Sequence, residues 1–468
     1  MRLSDVIKGT GAAILHGTQQ TEISSICSDS RKVTPGALFI AVKGCATDGH
    51  RYIEAALQAG AAAVVDADRR GLALCAAAFY GHPSEKLSLV GITGTNGKTT
   101  TVTLLYKLYM SLGYNCGLLS TIANFVGKRR SETANTTADP ITVNSLLAEM
   151  VDDGCEYCFM EVSSIGVEQQ RIAGLHFRIA IFSNLTHDHL DYHGTFAEYL
   201  RCKKLFFDGL GRDATAIINV DDKHGEVMVQ NTAARVVSYS CRGAADHCCR
   251  ILEMSFEGML LRIDGVETWC RLTGRHNAYN LLAIYSCAVE LGSDPGEVLL
   301  ALSSLEPAKG RLENINGPRG ISVVIDYAHT PDALQNILET LRAIAPSRQL
   351  VCLFGCGGDR DKTKRPEMAA IAQKLADRII VTSDNSRTER TEDILEDIRA
   401  GLDAEGMAKA IFISDRREAI RTAILTAPRD ATILLAGKGH ETYQIIGTEK
   451  RHFDEREIVQ ETFHLIKD

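Results

Sequence analysis

The chain has 468 residues, longer than a single hydrophobic core usually serves, so two to four domains are expected. Its 45% apolar and 24% charged content is that of a globular protein, and a formal net charge of −8 excludes the basic footprint of general nucleic-acid binding. No apolar run reaches the roughly 18 residues of a membrane-spanning helix.

Met1-Arg2-Leu3-Ser4-Asp5 opens no apolar leader segment. The fourteen cysteines lie mostly in apolar or mixed surroundings, and Cys155–Cys158 is the single CxxC, with no second pair at zinc-ligand spacing. Reduced thiols in a cytoplasmic protein without membrane insertion are expected.

Residues 1–85 read as a first unit, with a strand over Ala37–Ala41, a helix over Tyr52–Gln58 and a strand over Ala61–Val65. The polar segment Ser28 to Gly36 precedes the first strand, and the glycine turn Gly44 to His50 follows it. Loops at strand ends are common ligand positions.

Residues 86–315 read as a second unit that opens on a phosphate loop. The apolar run from Leu89 is followed by Gly94-Thr95-Asn96-Gly97-Lys98-Thr99-Thr100, and a helical pattern begins with Leu104, Leu105, Leu108 and Leu112. A strand, a glycine turn and a helix N-terminus converge backbone N–H groups on an anion. Lys98 suits terminal phosphates, and the Thr99 hydroxyl suits Mg²⁺. The strict pattern wants glycine where Ile92 stands, and Gly91 lies one position further back, so this is a variant loop.

Strands are expected over Tyr157–Val162, Ile179–Asn184 and Ala216–Val220, with antiparallel strands at Leu260–Ile263 and Trp269–Leu272 and a helix over Asn280–Leu291. Glu161 falls at a strand's C-terminal end, a position suited to holding Mg²⁺ beside a phosphate loop. The run Thr186-His187-Asp188-His189-Leu190-Asp191-Tyr192-His193 gathers histidines and aspartates directly after a strand, suggesting metal or phosphate work. Composition alone has Lys203 and Lys204 snorkelling to solvent.

Residues 316–468, starting at the turn cluster Gly317-Pro318-Arg319-Gly320, alternate five strands with helical patterns as a doubly wound α/β domain. Polar loops follow its strands at Asp326–Pro331, Gly355–Lys362, Asp384–Arg387 and Gly437–Glu441. Arg360 stands where a dinucleotide fingerprint needs its third glycine, which excludes a dehydrogenase. Both signs of charge within Asp384-Asn385-Ser386-Arg387 suit a zwitterion such as an amino acid.

The whole chain resembles the Mur ligases. The resemblance rests on Gly94–Thr100, on Met160-Glu161-Val162-Ser163-Ser164 and on Asp188-His189-Leu190-Asp191-Tyr192-His193. Ser28-Asp29-Ser30-Arg31, Asp326–Pro331, Gly355–Lys362 and Gly437-Lys438-Gly439-His440-Glu441 add to it. It implies three α/β domains: a smaller N-terminal UDP-sugar domain (1–85), a central ATPase domain with a parallel sheet (86–315) and a C-terminal Rossmann-like amino-acid domain (316–468).

The implied activity joins an amino acid to UDP-MurNAc-L-Ala-D-Glu with ATP and Mg²⁺, in a monomeric cytoplasmic ligase. By the resemblance, Ser28, Ser30, Asn135, Thr136, Thr137, Ser163, Gln169 and Arg171 would hold the UDP-linked substrate. Gly94, Thr95, Asn96, Gly97, Lys98, Thr99, Thr100, Asn277, Arg311 and Asp326 would bind ATP. Thr99, Glu161, His189 and a carbamylated Lys203 would ligate magnesium.

Arg360, Asp384, Asn385, Ser386, Arg387, Gly437 and Glu441 would bind the amino acid. Relatives adding meso-diaminopimelate usually read Asp-Asn-Pro-Arg where this chain has Asp-Asn-Ser-Arg. Retention of Arg387 favours diaminopimelate; the alternatives are L-lysine or another diamino acid as acceptor, or a different ligase of the same architecture.

Overall fold

In a computed structural model, the chain is described over residues 1–44, 47–186, 190–306 and 310–466. It divides into two compact units. One holds Met1–Leu185, Ala197–His247 and Ala283–Ala301; the other holds Thr186–Phe196, Cys248–Leu282 and Leu302–Asp468.

The first unit begins with a four-stranded sheet in the order β1-β4-β3-β2, built from β1 (Ala13–His16), β2 (Ser25–Cys27), β3 (Ala37–Ala41) and β4 (Ala63–Asp66). All five β3 residues are buried, as a central strand with both faces covered requires. The expected helix after β3 forms as a 3₁₀ turn, Gly49–Tyr52, running into Ile53–Gln58.

A larger sheet follows, containing β5 (Ser88–Thr93), β6 (Cys116–Leu119), β7 (Asn124–Val126), β8 (Arg129–Ser131), β9 (Tyr157–Glu161), β10 (Ile179–Phe182), β11 (Thr215–Asn219) and β12 (Arg235–Ser240). Their order is β12-β11-β10-β5-β9-β6-β7-β8. The strands from β12 to β6 run parallel, and β7 and β8 are antiparallel additions. Because β5 lies between β9 and β10, the chain leaves it to either side, and a ligand crevice is expected beyond its carboxyl end.

Gly91 is not part of the phosphate loop. It sits within β5, paired with Met160 and Ala180, and a side chain there would meet the rings of Phe177 and Phe206 at 2.7 Å. Its role is close packing under the sheet.

An antiparallel meander of β13 (His247–Met254), β14 (Met259–Ile263) and β15 (Val266–Cys270) falls, from Cys248 on, in the second unit, and the helix Arg275–Glu290 follows, leaving that unit after Leu282. The second unit's main sheet comprises β16 (Glu313–Asn316), β17 (Ser322–Asp326), β18 (Leu350–Phe354), β19 (Arg378–Thr382), β20 (Ala410–Ile413) and β21 (Thr432–Ala436), ordered β16-β17-β21-β18-β19-β20. Only β16 is antiparallel to its neighbour. The turn cluster Gly317–Gly320, expected to open the third unit, is the hairpin connection joining β16 to β17: its Gly-Pro chemistry makes a turn inside this sheet.

Apolar side chains fill both faces of this sheet. One layer includes Leu334, Ile337, Leu338 and Leu341, and the other includes Ile420, Ile424, Ile458 and Val459. The first group recurs at helical spacing along Pro331–Ile344, whose N-cap Thr330 accepts a hydrogen bond from the Ala333 N–H at 3.3 Å. A short hairpin, β22 (Tyr443–Ile446) and β23 (Glu449–His452), extends from the loop after β21. No described helix is long and apolar enough to cross a membrane.

Candidate active site

The first cluster lies at the carboxyl end of β5. Gly94 and Gly97 take φ of +151° and +89°, and the helix Lys98–Ser111 starts directly after them. The loop is tied to the end of β10. The Thr95 N–H donates to the Asn184 carbonyl (2.8 Å), the Asn96 N–H donates to Asn184 Oδ1 (2.9 Å), and the Ser183 hydroxyl donates to the Asn96 carbonyl (2.7 Å). The Thr95 hydroxyl lies 3.1 Å from that of Tyr199, Thr99 is half-buried and Thr100 is buried. These ties hold the backbone in one shape, which an anion cradle needs.

A methyl group on Gly94 would fall 1.9 Å from Ser183 Oγ. Gly94→Ala is therefore expected to cost about 1–3 kcal/mol in backbone strain, beyond the clash, and to weaken nucleotide binding. Thermal denaturation with and without ATP checks this.

Lys98 Nζ donates to the carbonyls of Gly94 and Thr95, both at 2.9 Å. Lys203 Nζ donates to the same Gly94 carbonyl at 2.8 Å and lies 4.8 Å from the Tyr199 ring centroid. Lys203 does not snorkel: it is 1% exposed, carried inward by the buried face of the helix Phe196–Asp208. Two ammonium groups thus meet at one carbonyl on the phosphate loop.

Glu161 ends β9, where it pairs with Ile92 of β5, and it is 0% exposed. Its oxygens accept from Thr121, through the N–H at 2.9 Å and the hydroxyl at 3.2 Å. Among the described residues no cation pairs with this carboxylate. Burying a carboxylate that lacks a counter-charge is costly, and a hard oxygen donor there fits a divalent cation. Thr121 has no distinguishing sequence signal; only its 40-residue partnership with Glu161 reveals it. No group of three or more His, Cys, Asp or Glu able to hold a metal ion occurs among the described residues, and His189 lies outside them.

The expected UDP-substrate residues fall into two places. Thr136 accepts from the Thr121 hydroxyl at 3.1 Å. Thr137 donates to the Glu161 carbonyl at 3.0 Å and lies 3.1 Å from Ser163 Oγ. Arg171 donates to the Thr137 carbonyl and, through Nη2, to Gln169 Oε1 at 2.7 Å. Asn135 is exposed, its carbonyl accepting from Thr133.

Ser28 and Ser30 lie apart from these, around a 3₁₀ turn capped by Asp29. Asp29 accepts from the Arg31 side chain at 2.8 and 2.9 Å, and that bonding holds its carboxyl down at about 2.

The second unit gathers its residues at the carboxyl ends of β17, β18, β19 and β21. Asp384, Asn385 and Ser386 are buried after β19, and Arg387, at φ +50°, donates to the Gly358 carbonyl at 2.7 Å. Arg360 is exposed. Gly437 has φ +118°, and a side chain there would meet Asp384 Oδ2 at 3.1 Å.

Glu441 Oε2 accepts from Asn385 Nδ2 at 2.9 Å and from Lys438 Nζ at 3.2 Å. Burial raises the pKa of Glu441. Burial also acts to raise that of Asp384, but Lys438 and Arg416 outweigh it and the net shift is downward.

Asp326 accepts from the N–H groups of Leu312 (2.7 Å) and Ala328 (2.8 Å). Arg311 lies over the Tyr327 ring at 4.9 Å, and its buried Nε has no hydrogen-bond partner among the described residues. Asn277 donates to the Thr273 carbonyl at 2.8 Å. His440 lies 4.9 Å from the Tyr327 ring; burial and the cations Arg311 and Arg456 push its pKa down to about 4.

Two buried arginines that the motifs do not mark support these loops. Arg365 bonds Glu389, Asp397 and the Gly357 carbonyl. Arg416 bonds Glu455 and the carbonyls of Ser383 and Ala436.

A phosphate loop on a parallel sheet, in a chain that also gathers polar loops at the strand ends of a doubly wound sheet, defines the class as an ATP-dependent ligase. Three family domains match the chain: "Mur ligase family, catalytic domain" over residues 22–90, "Mur ligase middle domain" over 92–288 and "Mur ligase, glutamate ligase domain" over 310–439.

The chain is 48% identical to the UDP-N-acetylmuramoyl-L-alanyl-D-glutamate–2,6-diaminopimelate ligases of Phocaeicola vulgatus and Parabacteroides distasonis. In each comparison, 99% of both chains is covered. A solved structure of a ligase with the same name superposes at a TM-score of 0.71, with 31% identity and 99% of each chain covered. The chain belongs to the Mur ligase family.

Proposed function

We propose that this protein adds meso-2,6-diaminopimelate to UDP-MurNAc-L-Ala-D-Glu, with cleavage of ATP to ADP and phosphate, in peptidoglycan precursor synthesis. The observation that carries the reading is the buried Glu161 carboxylate on the strand beside β5, whose end opens the phosphate loop. The names of the full-length relatives supply the substrates. The reading includes the divisions 1–85, 86–315 and 316–468, a monomeric state and a cytoplasmic location. The matched spans, 22–90, 92–288 and 310–439, support a three-part chain.

A carboxylate and an amine do not condense unaided. A D-Glu carboxylate oxygen attacks the γ-phosphorus of ATP, the bond to the β,γ-bridging oxygen breaks, and an acyl phosphate and ADP result. The loop N–H groups and Lys98 hold the phosphates and offset the charge on the transferring oxygens. The amino group of diaminopimelate, having lost its proton, attacks the acyl carbon, and inorganic phosphate leaves as the amide forms.

Glu161, Thr99, His189 and Lys203 are the residues that would hold magnesium. The ion supplies further charge neutralisation to the triphosphate. Carbamylation of Lys203 belongs to this proposal. It would replace one of the two cations at the Gly94 carbonyl with an anion while keeping one N–H to donate.

On the substrate side, Thr136, Thr137, Ser163, Gln169 and Arg171 would receive the peptide portion, while Ser28 and Ser30 would receive the uridine nucleotide. Asn277, Arg311 and Asp326 would contact ATP. Arg360, Asp384–Arg387, Gly437 and Glu441 would take the amino acid, with Arg387 on the distal carboxylate that lysine lacks.

Phosphate release measured with diaminopimelate and with L-lysine tests the acceptor. Diaminopimelate is expected to be preferred, and Arg387→Ala should reduce that preference by about 10- to 100-fold, the worth of a charged hydrogen bond. Faster turnover with lysine overturns the acceptor assignment.

A further inference from the structure

Between Gly437 and Gly439 stands a lysine to which none of the motif readings gives a role. Lys438 is 0% exposed. Its Nζ donates to the Tyr443 carbonyl (2.7 Å), Asn385 Oδ1 (3.1 Å) and Glu441 Oε2 (3.2 Å), and lies 3.4 Å from Asp384 Oδ1.

The amide of Asn385 is thereby fixed at both ends. Its oxygen accepts from Lys438 and from the Ile445 N–H (2.9 Å), and its nitrogen donates to Glu441 Oε2 (2.9 Å). Three side chains from two loops, 53 and more residues apart, are gathered on one ammonium group. Glu441 Oε1 has no hydrogen-bond partner among the described residues.

The charges make the pattern specific. Asp384 and Glu441 are two carboxylates sharing one buried cation, while Arg416, the other cation near Asp384, is engaged by Glu455. One negative charge is left over, with a carboxylate oxygen available to receive an ammonium group. Arg387 lies in the same loop as Asp384 and supplies positive charge for a carboxylate. This is a receptor for a zwitterion.

We infer that Lys438 is a positioning residue for the amino-acid substrate, holding Asp384, Asn385 and Glu441 in one fixed constellation that accepts a single ammonium group. This rests on the reading that the loops after β19 and β21 take the amino acid. Without Lys438, the two carboxylates lose the cation they share, and the Asn385 amide loses one of the two donors that set its orientation. The empty charge site would then disfavour the zwitterion, while the nucleotide and UDP-substrate residues of the first unit keep their own contacts.

The test is steady-state phosphate release by the full-length enzyme with ATP, UDP-MurNAc-L-Ala-D-Glu and diaminopimelate, comparing wild type with Lys438→Met and Lys438→Gln. The expected result is a KM for diaminopimelate raised at least about tenfold, as loss of a charged hydrogen bond predicts. The KM values for the other two substrates should stay within about twofold, and kcat should fall less than the diaminopimelate KM rises.

A parallel rise in all three KM values, or a fall in kcat alone, overturns the inference. So does failure of both variants to fold, judged by circular dichroism and binding of the UDP-linked substrate, because the lysine is then scaffold. Absence of amino-acid-dependent phosphate release in the wild type would instead overturn the parent reading.

Discussion

Replacing Lys98 by alanine is expected to lower ATP-dependent phosphate release by on the order of 10³-fold, the scale seen when a preorganised group facing developing charge is removed. The residue starts the helix Lys98–Ser111, and its ammonium group lies against the carbonyls of Gly94 and Thr95 at 2.9 Å. It is therefore already held at the rim of the cradle, with little conformational freedom left to lose when a triphosphate arrives.

Asn184 and Ser183 tie the loop down independently of Lys98, so the variant should fold and should keep its affinity for the UDP-linked substrate. The loss should appear mainly in kcat, since the charge to be offset grows as the γ-phosphoryl group transfers. Near-normal turnover by Lys98→Ala would remove the phosphate loop from the mechanism.

The loop could be found from sequence because its parts are local. A continuous apolar run makes a strand buried on both faces, and the glycines and the helical pattern follow within a few residues. The same holds for β3, β9, β10, β18 and β21, whose buried runs stand out from their flanks.

The hairpin β7–β8 does not stand out. Its strands are three residues long, and Arg129, Arg130 and Ser131 are all exposed, so no apolar period marks them. Gly91 was misleading for the opposite reason: a glycine near a phosphate motif looks like part of it, and only the Phe177 and Phe206 rings reveal its packing role. Local composition likewise put Lys203 at the surface, whereas the helix face that carries it turns inward. The support from Thr121, Lys438, Arg365 and Arg416 arises from contacts made by the fold, which one-dimensional spacing does not record.

Arg416 yields the largest expected stability effect. Its guanidinium and the Glu455 carboxylate are both 0% exposed and meet at 2.8 Å, while its other nitrogens bond the carbonyls of Ser383 and Ala436. Those carbonyls stand where β19 and β21 give way to the loops carrying Asp384–Arg387 and Gly437–Glu441. One side chain therefore fixes the spacing of the two loops, and the helix Glu455–Phe463 supplies its counter-charge.

Arg416→Met would leave the Glu455 carboxylate buried without a partner among the described residues, where one of its oxygens, Oε2, already has none. A cost of about 3–5 kcal/mol is expected for breaking such a pair. Trp269, the single tryptophan, lies in the same compact unit and reports the transition by fluorescence in a urea titration, separately from a whole-chain signal.

The double variant Arg416→Met/Glu455→Met should recover most of that stability, because replacing both charges with apolar groups removes the desolvation cost along with the attraction. It should not recover the KM for diaminopimelate, since the two strand-end carbonyls still lack their donor. Equal recovery of stability and KM would mean that Arg416 acts on the site only through global stability, and an unchanged single-variant midpoint would mean that the pair carries no net weight.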